Sequence, residues 1–142
     1  MKPEWRAAAR AGAVETLERL LSAGHDIDAK DEHGQTALMV AARDGRTAVA
    51  QLLVGRGADL NHTAKFHLTA LMIAVLNGRV AIVRALVDAG ADLTVRGSGA
   101  PGFHGKTALD LAVVPERDEA VSRQLDEIAL IIRAAQAKEG SA

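Results

Sequence analysis

The sequence predicts an all-α fold, a solenoid of stacked helix–turn–helix units joined by hairpin-like loops. Three observations point to it. Short motifs recur at a fixed spacing of 33 residues: Thr36-Ala37-Leu38-Met39 returns as Thr69-Ala70-Leu71-Met72, and Gly57-Ala58-Asp59 returns as Gly90-Ala91-Asp92. Such self-similarity is the mark of a repeat architecture, in which each unit buries its apolar face against the next. Glycines keep the same step, at Gly12, Gly45 and Gly78 and again at Gly24, Gly57 and Gly90. Aromatic residues make up only 2% of the chain, so the core must be aliphatic and rich in Ala, which lets helices approach closely.

Each unit reads in the same order. Thr36 and Thr69 stand where an N-cap side chain accepts an amide of the first helical turn. A short apolar helix follows near 37–44 and 70–77, stopped by Gly45 and Gly78, where a left-handed residue is favoured. A second helix follows near 14–22, 47–55 and 80–88, closed by Gly24, Gly57 and Gly90. The spacing divides the chain into units near 1–30, 31–63, 64–101 and 102–137, with a frayed tail at 138–142. In the last unit Pro115 is expected to stop the first helix. A long helix from about Asp118 to Ala137 then presents Val121, Leu125, Ile128, Ile132 and Ala135 as an apolar stripe. This is the pattern of a terminal cap, and its other face is also a conceivable groove for a partner helix.

The stretches "GQTALMVAARDGRTAVAQLLVGRGADLN" (Gly34 to Asn61) and "HLTALMIAVLNGRVAIVRALVDAGADLT" (His67 to Thr94) carry the resemblance to a known family. They resemble the ankyrin repeat, with its Thr-Pro-Leu-His opening, central Gly, paired Leu and closing Gly-Ala-Asp. The resemblance implies an ankyrin-repeat solenoid with degenerate units at both ends. The family's Pro is replaced here by Ala37, Ala70 and Ala108, and its His by Met39, Met72 and Asp110. The inter-repeat hydrogen bonds that His makes in the family are therefore not expected.

The segment "GSGAPGFHGKT" (Gly97 to Thr107) also fits G-x-G-x-x-G and a relaxed phosphate-loop pattern. Its surroundings argue otherwise. A phosphate loop follows a buried strand of a parallel sheet, whereas "ADLTVR" is the end of a repeat. Aligning Thr107 with Thr69 makes Gly105-Lys106-Thr107 the opening of the fourth unit. The extra residues, within Gly97 to Phe103, then lengthen a finger loop.

Other chemistry finds no foothold. There is no cysteine, and the net charge of −1, with basic residues scattered among acids, offers no field for nucleic acid or an anionic membrane. No apolar run is long enough to span a bilayer, and the start of the chain does not read as a secretory signal. The five histidines, His25, His33, His62, His67 and His104, fall in loops without ligand spacing. No serine sits in a nucleophile motif. The reading is a monomeric, non-enzymatic, cytoplasmic protein without cofactor or metal, and the Ala- and Arg-rich composition points to a bacterial source.

The resemblance implies binding of a protein partner through the concave face, built from finger tips and the exposed side of the first helices. Carried over by alignment, that face comprises Glu32, His33, Gln35, Arg43 and Asp44 in the second unit. It comprises Lys65, Phe66, Leu68, Leu76 and Asn77 in the third, and Phe103, His104 and Lys106 in the fourth. The only two Phe of the chain thus fall on finger tips. Either they anchor a partner or each folds over the neighbouring finger. Leu68 and Leu76 beside Phe66 are expected to form a small apolar patch, and His67, standing where the family has Gly, to bend the third finger. The function expected is a scaffold or adaptor. The alternative is a regulatory inhibitor, antitoxin or chaperone-like partner of one enzyme, and a minor alternative is a nucleotide-binding protein using Gly97–Thr107.

Overall fold

The computed structural model describes residues 1–113 and 118–140. The helices form four consecutive pairs: α1 (Pro3–Ala11) and α2 (Val14–Ser22), α3 (Ala37–Asp44) and α4 (Thr47–Gly55), α5 (Ala70–Leu76) and α6 (Val80–Asp88), α7 (Ala108–Ala112) and α8 (Glu119–Gly140). Among the described residues a single 3-10 turn covers Lys65–His67. The first helices of the pairs pack in one row, α1 on α3, α3 on α5 and α5 on α7, and the second helices in another, α2 to α4 to α6 to α8. Among the described residues there is no strand, only an isolated bridge between Gly97 and His104.

The local chemistry follows the sequence closely. Thr36 accepts the amide of Met39 and Thr69 that of Met72, as N-caps. Both threonines are buried, so these bonds also satisfy hydroxyls that have left water. The six periodic glycines all take positive φ. Gly45 shows why at atomic detail. Its φ is 72°, and a Cβ there would lie 2.9 Å from the guanidinium of Arg79. That guanidinium reaches back from the next unit to donate from Nε and Nη2 to the carbonyl of Arg43, at 3.3 and 3.0 Å. Arg46 repeats the contact one unit earlier, donating to the carbonyl of Arg10 at 2.7 Å. Each of these arginines satisfies a carbonyl at the C-terminal end of a preceding first helix.

A second ladder runs along the unit ends. The amide of Asp59 donates to Asp28 Oδ1 at 2.9 Å, and that of Asp92 to Asn61 Oδ1 at 2.8 Å. Asp26, Asp59 and Asp92 each accept the amide two residues on, closing the same turn three times.

The core is aliphatic and Ala-rich. In α3 all six residues from Ala37 to Ala42 are buried, because the helix is flanked by α1, α4 and α5 together. The second helices bury one stripe each, such as Leu17 and Leu20, Val49 and Leu53, Ile82 and Leu86. Trp5 is fully buried at the N-terminal end and stacks on His25, with centroids 4.4 Å apart.

The C-terminal helix departs in detail from expectation. It continues through Lys138, Glu139 and Gly140, which the sequence led us to expect as frayed. Its stripe is carried by Leu125, Ile128, Ala129 and Ile132, whereas Val121 is 37% exposed. Leu125, Ile128 and Ile132 thus keep the expected face against α6 and α7, Ala129 joins it, Ala135 is half-buried and Val121 in the first turn stays exposed. The expected stop at Pro115 lies outside the described residues, as do Ser141 and Ala142; α7 ends at Ala112.

Candidate protein-interaction face

The finger before α3 is built on Asp31. Its Oδ1 accepts the amides of His33 and Gln35, both at 2.9 Å, and its backbone amide donates to the Gln35 carbonyl. This turn projects Glu32 and His33 into solvent. Glu32 is held by Arg6 of α1, with Nη1 to Oε1 at 2.8 Å, and His33 Nε2 lies 3.7 Å from the same oxygen. Its own backbone amide and then Arg6 keep the Glu32 carboxyl below the usual range. Further along the first-helix row, Arg43 donates from Nη1 to Gln35 Oε1 at 3.1 Å and from Nε to Asp44 Oδ1 at 3.0 Å. That hydrogen bond from Arg43 holds the Asp44 carboxyl low, and Arg10 adds to it from 4.0 Å. Glu32, His33, Gln35, Arg43 and Asp44 are thus brought together as one internally paired charged strip.

Arg6 and Arg10 belong to this strip, and alignment to the later units left them out. They line a groove of about 350 Å³ with Met1 and Pro3. The signal for Arg10 was available, since it stands 33 residues before Arg43.

The third and fourth fingers differ in chemistry. Lys65 places its ammonium 4.8 Å over the ring of Phe66, a cation–π contact. The Phe66 and Phe103 rings meet at 5.5 Å, tilted by 42°, and both residues are half-buried. Phe66 and His67 both adopt positive φ, 62° and 58°, so the third finger bends where Gly would be expected. His67 Nδ1 then meets the carbonyl of Arg96 at 2.9 Å, and Ser98 donates its amide to the Phe66 carbonyl at 2.8 Å. His104 is exposed and Lys106 half-exposed. Asn77 is exposed but uses its amide to cap the carbonyl of Ile73.

Leu68 does not take part in the expected apolar patch. It is only 8% exposed and belongs to the core, because the bend at Phe66 and His67 turns the following residue inward, next to the capping Thr69. Leu76 remains half-buried on the first-helix row.

The Gly97–Thr107 segment is a closed finger. Gly97 donates to Lys106, Phe103 and His104 to Ala100, Gly105 to Gly97, and Lys106 to Phe103. The Thr107 amide donates to Asp110 Oδ2 in a capping box that opens α7. Amides that would have to converge on a phosphate are therefore spent on the loop itself. Gly97 serves close packing: a Cβ there would lie 2.5 Å from the Phe103 carbonyl oxygen. Among the described residues no three His, Asp or Glu side chains gather as a metal site. No helix there is long and apolar enough to cross a membrane.

Paired helices stacked in two rows, with fingers projecting along one edge, define a solenoid repeat protein of the kind whose extended surface is used for binding. A family-wide sequence profile for ankyrin repeats, in three copies, matches residues 5–97, more than half of the chain. The chain belongs to the ankyrin-repeat family. Ankyrin repeats are generally protein–protein interaction modules. No curated protein matches the chain.

Proposed function

We propose that this chain is a non-catalytic scaffold or adaptor that binds a protein partner through its concave face and finger tips. The face we assign runs from Glu32, His33, Gln35, Arg43 and Asp44 to Lys65, Phe66, Leu76 and Asn77, and on to Phe103, His104 and Lys106. The chain's only two Phe fold onto each other across adjacent fingers, 5.5 Å apart, and the observation that carries this reading is that both rings stay half-exposed there beside Lys65. A half-exposed aromatic pair beside a cation is the kind of cluster that anchors an interface. The charged strip of the second unit then supplies a polar rim that sets register.

The experiment is capture from lysate of the source cells with the wild type and two folded variants. One is Phe66→Ala with Phe103→Ala, which removes the aromatic pair. The other is Lys65→Glu with His104→Glu, which changes only exposed side chains. A protein retained by the wild type and lost by both variants is the expected result. Equal retention by all three overturns the assignment of this face.

A further inference from the structure

The C-terminal end of the stack carries an open groove of about 500 Å³ between α7 and α8. Its floor is made by Ala112, Leu125 and Ala129, all nearly buried. Its lips are Val113, 52% exposed, and Leu130, 65% exposed. Single exposed apolar residues are common on soluble proteins. Here two of them border one concavity, on the open side of the α7–α8 pair.

Two charges line the same groove, Asp126 and Arg133. They stand seven residues apart on α8 and so share a face, close to two helical turns. The point midway between them falls between Ala129 and Leu130, about 5 Å from each at a rise of ~1.5 Å per residue. Both are exposed, and among the described residues neither enters an ion pair. Other charges on the helix do, as Arg84 with Glu127 and Arg123 with Glu119.

This pattern is complementary to itself. A two-fold axis through the midpoint, relating two antiparallel copies of α8, sets Asp126 of each copy opposite Arg133 of the other. It also sets the large Leu130 opposite the small Ala129, twice. Such self-matching is what an isologous contact requires. We propose that the occupant of this groove is a second copy of the chain, docked α8 against α8, with Leu130 of each copy seated between Val113 and Ala129 of the other. The contact lies at the end of the stack, away from the fingers, so the dimer presents two concave faces in one particle. Partners with paired sites would then be held with avidity beyond that of one face. A dimer departs from the monomer expected from sequence.

Sedimentation equilibrium of the full chain tests this, from roughly 10 μM to 1 mM, the range of modest self-association. The wild type is expected to pass from 14.8 kDa towards twice that mass as concentration rises. Leu130→Asp, a change at an exposed position, is expected to keep the circular dichroism spectrum and stay monomeric. Asp126→Arg and Arg133→Asp each place like charges face to face and are expected to weaken the dimer about tenfold or more. Mixing these two variants restores both pairs in a heterodimer, and combining both substitutions in one chain restores the homodimer. A wild type that remains at 14.8 kDa throughout overturns the proposal, as does a dimer unmoved by Leu130→Asp and by the charge exchanges. Partner capture by Leu130→Asp is read separately, so that loss of the dimer and loss of the concave-face reading are distinguished.

Discussion

Gly45→Ala is expected to cost more than a turn glycine ordinarily does, and the excess has a definite source. Gly45 and Gly57 both take left-handed backbone, φ 72° and 81°. An L residue there costs about 1–2 kcal/mol, offset by roughly 0.4–1 kcal/mol from the stiffer unfolded chain. Gly57 has nothing within 4 Å of a built Cβ, so Gly57→Ala should cost about 1 kcal/mol through the backbone alone. At Gly45 the new methyl would lie 2.9 Å from the Arg79 guanidinium. The arginine is flexible and can move, but moving it breaks its hydrogen bonds to the Arg43 carbonyl. For this half-buried donor that loss is about 1 kcal/mol, below the roughly 1.5–3 kcal/mol of hydrogen bonds to charged groups because water replaces part of it. Gly45→Ala should therefore cost about 2 kcal/mol, roughly twice the Gly57 change. In an Arg79→Ala background the two substitutions should cost the same. Urea unfolding followed by far-UV circular dichroism gives all of these values in one double-mutant cycle. Equal costs in the wild-type background, or no coupling between Gly45→Ala and Arg79→Ala, would refute the claim that the arginine ladder selects glycine at this turn.

Two further outcomes follow from packing and charge. Leu53→Ala empties a site with no exposure, where the outer helix row meets the core; a loss of about 2–5 kcal/mol is expected from the transfer and cavity terms, and a cost below 1 kcal/mol would mean that the row is loosely packed. Asp110 is held below the usual carboxylate range, first by the Thr107 amide, so its capping bond stabilises the fold above the unfolded Asp value of about 3.9 and is lost as pH falls through the lower folded value. The Tm of the wild type should therefore fall more steeply than that of Asp110→Asn below about pH 4, and identical profiles would remove Asp110 from the acid response.

Much of this molecule could be read from local rules. The 33-residue recurrence located the pairs from α1/α2 to α5/α6, because capping threonines and turn glycines act within one turn of the chain. Thr36 with Met39, and Gly45 at the end of α3, need no distant partner to be recognised. The charged part of the candidate face came from the family resemblance, carried over position by position along the repeat. What the repeat did not carry was less visible. Arg6 enters the face from an end unit whose opening motif is missing. The long helix α8 keeps Leu125, Ile128 and Ile132 of its apolar stripe at the core, but which flanking residues join them depends on the packing of α6 and α7, and it is Ala129 and not Val121.

The sequence by itself determined the class of fold, the order of its helices and the positions of its turns, because each of these is set by contacts between near neighbours. Tertiary structure decided the rest. It turned Leu68 inward and joined Phe66 to Phe103 across two fingers. It closed the Gly97–Thr107 amides on themselves and left Leu130 at the rim of an open groove. Phe66 and Phe103 lie far apart in the chain and meet only in space, while the inward Leu68 and the closed amides arise in a bent finger and an inserted loop that follow no period.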